Sequence, residues 1–328
     1  MSFVGDNFIR QQLATRLERL QAASARTGRT QEIEELVTQV DAAIQRLETG
    51  TFGVCEKCLG TVEAGRLIAD PMVRFCLDCL TAPEQRQLEA DLEMAARIQR
   101  ALLPPERLSV HGWEIHYHYE PVGMVSGDYC DLIVANPSDG GLFFLLGDVS
   151  GKGVAASLLM AHLHAMFRSL VTFSQPLERM MQVANGVFCE STIPGQFATL
   201  VCGRADRSGR LELSSAGHPP GLVVGRGGVS RAESAGFPLG MFRDARYTTQ
   251  TFELQTGDAL LLYSDGVTES RNASGEEYGV ERLACFMENR QGTPSADLVR
   301  ACQDDLRAFS GGTRGTDDVT LMALRRAA

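Results

Sequence analysis

Positive charge and long apolar runs are both scarce in this chain. Against 41 Asp and Glu there are 31 Lys and Arg, a formal net charge of −10 over 328 residues, which excludes a broadly basic nucleic-acid surface. No direct nucleic-acid partner is expected. The opening residues, MSFVGDNFIRQQ, lack a basic segment followed by an apolar one, and no apolar run reaches membrane-spanning length. A cytoplasmic protein with no membrane partner is therefore expected. No GxSxG elbow is present, and no serine or cysteine stands beside an evident activating partner. What remains is an ordinary globular composition, 44% apolar, in a chain long enough for two or three domains.

The nine cysteines divide into two groups. Cys130, Cys189, Cys202, Cys285 and Cys302 are scattered in apolar surroundings and read as small core residues in a reducing compartment. Cys55, Cys58, Cys76 and Cys79 form two CxxC knuckles separated by 17 residues, a spacing that closes a tetrahedral zinc site. A thioredoxin-like pair would need one CxxC within a βαβ pattern, which is missing. With four cysteine ligands no position stays open for catalysis, so one structural Zn2+ is expected.

Before the knuckles, Ile9, Leu13, Leu17 and Leu20 form one helical stripe, and Ile33, Val37, Val40, Ile44 and Leu47 another. The segment ARTGRT between them reads as a turn, giving an antiparallel hairpin. Gly50, Phe52, Gly53, the four cysteines, Arg66, Leu67, Ala69 and Pro71 make residues about 41 to 80 resemble the DksA/TraR family of zinc-finger regulators. The resemblance implies RNA polymerase as a partner. In the DksA branch that binding uses acidic residues at the hairpin tip, and ARTGRT has none, so a reused structural or sensory module is the alternative.

Leu88, Leu92, Ala95, Ile98 and Leu102 then follow helical spacing up to Pro104, a connector that ends at a double proline. Its stripe packs either on the next domain or on a second copy, a homodimer through the connector. The expected organisation is a hairpin over 1–50, a zinc finger over 51–82, the connector over 83–103 and a larger domain over 104–328.

In that last part WEIHYHYE alternates apolar and polar residues, and LFFLLGDV, QFATLVCGRA, RLELSSAG, DALLLYSD and DDVTLMAL are further strands. Helices are expected near 153–170, 176–190, 279–289 and 294–310. Hairpin turns such as ADRSG favour antiparallel pairing, so the fold class is α+β, a β-sandwich flanked by helices. His116 and His118 fall on the polar face of the first strand, read as a solvated edge. His162 and His164 point to different sides of a helix, and His218, before two prolines, reads as structural.

Four aspartates stand in Gly-flanked corners at or near the ends of apolar runs: Asp128 in SGDYCD, Asp148 in LFFLLGDVSGKG, Asp265 in ALLLYSDGVTE and Asp317 in GTDDVTLMAL. Carboxylates near a core must be paired or hold a cation, so they read as hard ligands for Mg2+ or Mn2+. The run GKGVAA, residues 151–156, mimics a dinucleotide turn. No acid follows at ribose distance, however, and Asp148 would repel a pyrophosphate. Its glycines read instead as bringing a peptide carbonyl beside Asp148.

In order, ARIQRALLPP, SGDYCD, GDVSGKGVAASLLMA, AGHPP, GFPLGMF, TGDALLLYSDGVTES and DDVTLMALR make residues Ala96 to Arg325 resemble the PPM-type protein serine/threonine phosphatases, in the SpoIIE/RsbU-like branch. Ser126 stands where a glycine is usual and Cys130 where an aromatic is usual; no carboxylate is lost. The resemblance implies two Mn2+ or Mg2+ ions, with Asp148 bridging both, Asp265 and Asp317 on one, and Asp128 with the Val149 carbonyl on the other. It also implies phosphoserine or phosphothreonine hydrolysis on a STAS-type anti-sigma-factor antagonist. Lys152 reads as a solvated loop lysine. Asp318 competes with Asp317 for the ligand role, because one residue of slip reverses a strand face. The competing function is a non-enzymatic RNA-polymerase-binding regulator on a phosphatase scaffold.

Overall fold

The two sequence stripes become α1 (Phe3–Thr27) and α2 (Gln31–Glu48). They close a small core in which Ile9 and Leu13 meet Val40 and Ala43, with Leu17, Leu20, Ile44 and Leu47 at its margin. Thr30 caps α2 by accepting from the Ile33 main chain at 3.4 Å, satisfying one otherwise orphaned donor. After the first knuckle come α3 (Ala64–Ala69) and α4 (Ala82–Leu102). This computed structural model describes residues 3–27, 30–135, 141–173, 175–193, 195–232, 236–312, 315 and 317–327, so Gly28 and Arg29 of the expected turn lie outside them. The chain divides into two units, Met1–Asp91 and Leu92–Ala328.

The second unit continues with β1 (Arg107–Val110), β2 (Trp113–Glu120), β3 (Asp128–Val134), β4 (Leu142–Val149), α5 (Val154–Leu170) and α6 (Leu177–Ser191). Then follow β5 (Ala198–Ala205), β6 (Arg210–Ala216), β7 (Gly221–Gly225), β8 (Gly228–Ala232), β9 (Thr249–Glu253) and β10 (Ala259–Tyr263). It closes with α7 (Asp265–Thr268), α8 (Val280–Met287), α9 (Ser295–Ser310) and β11 (Val319–Arg326). The strands form two sheets, ordered β1-β2-β11-β10-β7-β8 and β3-β4-β5-β6-β9, with every ladder antiparallel.

Three cores stack in layers. Between the sheets lie Trp113, Ile115, Phe144, Leu146, Leu260, Leu262, Met322 and Leu324. Phe143 and Leu145 pack with Met160, Leu163 and Phe167 of α5 and Met181 and Phe188 of α6. Leu261 and Leu321 pack with Leu283 of α8 and Leu298 of α9. The continuous apolar runs in β4 and β10 thus reflect strands covered on both faces, whereas β2 alternates. Each such side chain contributes roughly 1.5–3 kcal/mol by leaving water.

The structure corrects four expectations. The polar face of β2 is not a solvated edge: β2 sits between β1 and β11, and Glu114 accepts from the Ser295 main chain and hydroxyl at the start of α9, at 3.0 and 2.9 Å. The stretch Val154–Phe173 is long and apolar enough to cross a membrane by length and composition, yet α5 buries Ala156, Met160, Leu163 and Phe167 in the fold. Of the five scattered cysteines, Cys285 is exposed and Cys189 only half-buried. In α4 it is Ala96 and Gln99 that are buried, while Ile98 of the expected stripe is exposed.

β3 was not legible as a strand, because two of its seven residues are aspartates on opposite faces. Asp131 is fully buried on the α5 side. There Arg168 donates to it through Nε and Nη2 at 2.9 and 2.7 Å, a bidentate pair across 37 residues. His164 also faces Asp131, whereas His162 turns to Ser191, so the two histidines do part to different sides.

Candidate functional site

At one end of the sandwich the layer between the sheets turns from apolar to polar. Asp128 on β3 lies directly opposite Asp148 on β4, and Asp148 opposite Thr199 on β5. Residues paired in this way share a face, here the one carrying Phe144 and Leu146 toward the other sheet. From that other sheet come Ser264 at the end of β10, Thr320 on β11, Asp265 opening α7, and Asp317 and Asp318 just before β11.

Two glycines allow the close approach. A Cβ at Gly127 would stand 2.9 Å from the Val149 carbonyl and 3.3 Å from Asp148 Oδ1; one at Gly266 would stand 2.0 Å from the Asp318 carbonyl. Any side chain at either position would push the carboxylate-bearing segments apart.

The twin aspartates have different surroundings. Asp318 accepts from the Val122 main chain at 2.8 Å, the Ser126 hydroxyl at 2.7 Å and the Gly127 main chain at 3.0 Å, so its carboxylate anchors the turn that delivers Asp128. Asp317 faces Lys152, Nζ to Oδ2 at 3.1 Å, and adds repulsion at both Asp148 and Asp265. Lys152, one of only two lysines in the chain, thus faces the cluster, although it is 64% exposed.

Negative charge accumulates here beyond what the protein compensates. Burial, then repulsion from Asp265, Asp317 and Asp318, pushes Asp148 up to about 7. Burial, then Glu269 and Asp317, raises Asp265. Asp128, 1% exposed, is pushed well above the carboxylate range, chiefly by burial and against the hydrogen bond from the Thr320 hydroxyl. Among the described residues these carboxylates do not reach the mutual ligand spacing that the cysteines show; divalent cations bound among them would reverse each of these shifts.

The four cysteines meet a stricter test. Their sulfurs all lie within 4.8 Å of one another, and Cys58 and Cys76 Sγ are 3.6 Å apart, close to the roughly 3.8 Å edge of a tetrahedron with Zn–S bonds of about 2.3 Å. Burial and the neighbouring thiols push Cys79 up to about 12. At Cys55 burial is outweighed by donors at Cys76, Cys58 and Lys57, which bring it down to about 6. Four sulfurs at this spacing fit one tetrahedral zinc ion, which would bring the thiols to thiolates.

Some site residues were missed in the sequence. Gln99 of α4 grips Ser126, its Nε2 donating to the carbonyl at 2.7 Å and its Oε1 accepting from the main-chain N–H at 3.0 Å. Thr320 reaches Asp128. His218, read from the sequence as structural, is buried against Thr199.

The family model described as stage II sporulation protein E (SpoIIE) matches residues 138–327. Among curated proteins, IcfG of Synechocystis is 28% identical over 267 residues, 72% of this chain and 41% of that one. Phosphoserine phosphatase RsbU of Bacillus subtilis is 26% identical over 247 residues, 74% of this chain and 72% of RsbU. The RNA polymerase-binding transcription factor DksA of Haemophilus influenzae is 34% identical over 53 residues, 16% of this chain and 37% of DksA. Among solved structures, the SiaA-PP2C domain of Pseudomonas aeruginosa aligns with TM-score 0.65 at 21% identity, covering 75% of this chain and 99% of that one. RsbX in complex with magnesium aligns with TM-score 0.51 at 16% identity, covering 67% and 98%.

Proposed function

The chain belongs to the SpoIIE family, and from that membership we propose that it is a metal-dependent protein phosphatase that hydrolyses phosphoserine or phosphothreonine on a regulatory protein. The observation that supports this reading is the crowding at Asp148, which stands opposite Asp128 across the β3–β4 ladder and is pushed up to about 7 by burial and by Asp265, Asp317 and Asp318. Asp148 would hold both of two Mn2+ or Mg2+ ions, Asp265 and Asp317 one of them, and Asp128 with the Val149 carbonyl the other. When bound, the ions supply Lewis acidity, activating water and neutralising phosphoryl oxygens.

The chain's own residues do the rest. Asp318, Ser126 and Gln99 hold the turn before Asp128 in place. Thr320 orients the Asp128 carboxyl. Lys152, on the flank of Asp317, is near enough in sequence to Asp148 to meet an incoming phosphate. Phosphoserine hydrolysis is the activity in the name of RsbU, which supports the substrate class, and a STAS-type anti-sigma-factor antagonist is the substrate we propose. The cytoplasm, where free thiols persist, is the proposed location.

The full chain, loaded with zinc, should release phosphate from a phosphoserine-bearing STAS-type protein only with Mn2+ or Mg2+ present. No release with either ion would leave the binding-protein reading, with the DksA-like finger docking on RNA polymerase. We further propose a homodimer through α4, whose Met94 and Ile98 are 50% and 59% exposed; Ile98→Glu should then sediment as a monomer, and an unchanged sedimentation coefficient would remove the idea.

The two aspartates before β11 are predicted to separate kinetically. Asp317→Asn should lower turnover about a hundredfold or more, by loss of a charged group at the reacting centre. In Asp318→Asn one carboxylate oxygen becomes a donor facing the Gly127 N–H, so the turn loosens, costing roughly 1–3 kcal/mol of stability with part of the activity retained. Full loss of turnover in Asp318→Asn alone would reverse the assignment.

A further inference from the structure

His218 has no part in the mechanism above, yet it occupies the crossover between the sheets. The chain leaves the five-stranded sheet at Ala216, the end of β6, and enters the six-stranded sheet at Gly221, the start of β7. His218 stands in that link, 3% exposed. Its Nδ1 lies 2.9 Å from Thr199 Oγ1, and Thr199 is the residue directly opposite Asp148 across the β4–β5 ladder. On its other side the ring interacts with the main chain of Tyr263, the last residue of β10 and two residues before Asp265.

The second ring nitrogen, Nε2, is buried and makes no hydrogen bond of full geometry; the group that faces the ring away from Thr199 is the Tyr263 main chain. An apolar side chain of the same shape would leave the Thr199 hydroxyl without its partner. An imidazole instead addresses both sheets at once, Thr199 through Nδ1 and the Tyr263 main chain on the other side. Burial also pushes its pKa down to about 3. The ring is neutral at any working pH and adds no positive charge that would compete with cations at the carboxylates.

We infer that His218 is a positioning residue for the carboxylate centre: wedged between Thr199 and the Tyr263 main chain, it sets the spacing between Asp148 on one sheet and Asp265 on the other. The inference rests on the metal-phosphatase reading above. The spacing matters because a pair of divalent ions sharing ligands tolerates little change in the separation of those ligands. The wedge acts through Thr199 and the strand ends and touches neither substrate nor ion.

The test uses the zinc-loaded full chain freed of other divalent ions. Mn2+ binding is measured by isothermal titration, thermal unfolding is measured without Mn2+, and phosphate release is measured against Mn2+ concentration. His218→Leu is expected to weaken Mn2+ binding at least tenfold, with the melting temperature of the metal-free chain lowered by no more than a few degrees, the cost of leaving the Thr199 hydroxyl unpaired. The Mn2+ concentration for half-maximal release should rise in parallel. His218→Asn, which can again pair with Thr199, should recover binding to within about threefold of wild type. Thr199→Val should weaken binding as His218→Leu does, and the double variant should be no worse than either single one, because both break the same contact. Wild-type Mn2+ binding in His218→Leu would overturn the inference, as would strictly additive effects or a loss that only follows a lowered melting temperature. If His218→Leu fails to fold, Thr199→Val and His218→Asn decide the matter by the same criteria. A wild-type chain that neither binds Mn2+ nor releases phosphate would overturn the metal reading itself and the inference with it; an active wild type with unaltered variants would overturn the inference alone.

Discussion

Asp148→Asn is expected to lower phosphate release on the order of a thousandfold while stabilising the metal-free protein. The loss of turnover follows from its place in the row Asp128–Asp148–Thr199, within the repulsive field of Asp265, Asp317 and Asp318. A residue that would hold both ions is the one whose charge the centre can least do without. The gain in stability follows from linkage. In the metal-free fold Asp148 sits at about 7, above the roughly 3.9 of an unfolded Asp, so the folded state binds the proton more tightly. Its contribution to stability is fully present below about pH 4 and is lost as pH rises through about 7. Asparagine does not ionise, so the variant keeps that contribution. The difference between variant and wild type should open between about pH 4 and 8, to at most roughly 4 kcal/mol. Melting curves of metal-free protein at pH 5 and pH 8 measure this, and equal shifts for the two proteins would refute it. Added Mn2+ should close the gap from the wild-type side only.

Cys76→Ser is expected to abolish zinc binding at the knuckles and to unfold the segment they close. The core around the knuckles consists of Cys55, Val62, Leu67 and Cys76 with Phe52, Val73, Phe75 and Cys79 at its edge, and two of its four central members are thiols. So small a core does not hold a fold without a metal or disulfide, and structural zinc contributes on the order of 10–16 kcal/mol in such modules. Metal analysis should find about one zinc per wild-type chain and almost none in the variant. Limited proteolysis should then cut between residues 50 and 80 in the variant only. Zinc retained in Cys76→Ser, or absent from wild type, would contradict the assignment.

How much of this could be read in advance differs from residue to residue. The knuckles were legible because zinc chemistry is written in local spacing, and the structure brings all four sulfurs within 4.8 Å. The strands β4 and β10 were legible because burial on both faces leaves an unbroken apolar run. β3 was hidden by Asp128 and Asp131, whose partners Thr320 and Arg168 lie 192 and 37 residues away. The polar face of β2 was misread because its cover, α9, begins 175 or more residues later. Gln99 carried no signal at all, since an amide that grips a main chain resembles any helical glutamine until the turn at Ser126 is in place.

The sequence by itself determined the chemistry available to this protein: four thiols at zinc spacing, four aspartates within two residues of a glycine, and a surplus of negative charge. Those are properties of residue type and local order, which survive in one dimension. Only the tertiary structure decided which groups act together. It turned Asp318 onto the turn at 122–127 and left Asp317 with Lys152, Asp148 and Asp265. It also set His218 between the two sheets. The physical reason is that a carboxylate's role depends on the donors and charges within a few ångströms of it, and here those arrive from segments up to 196 residues apart.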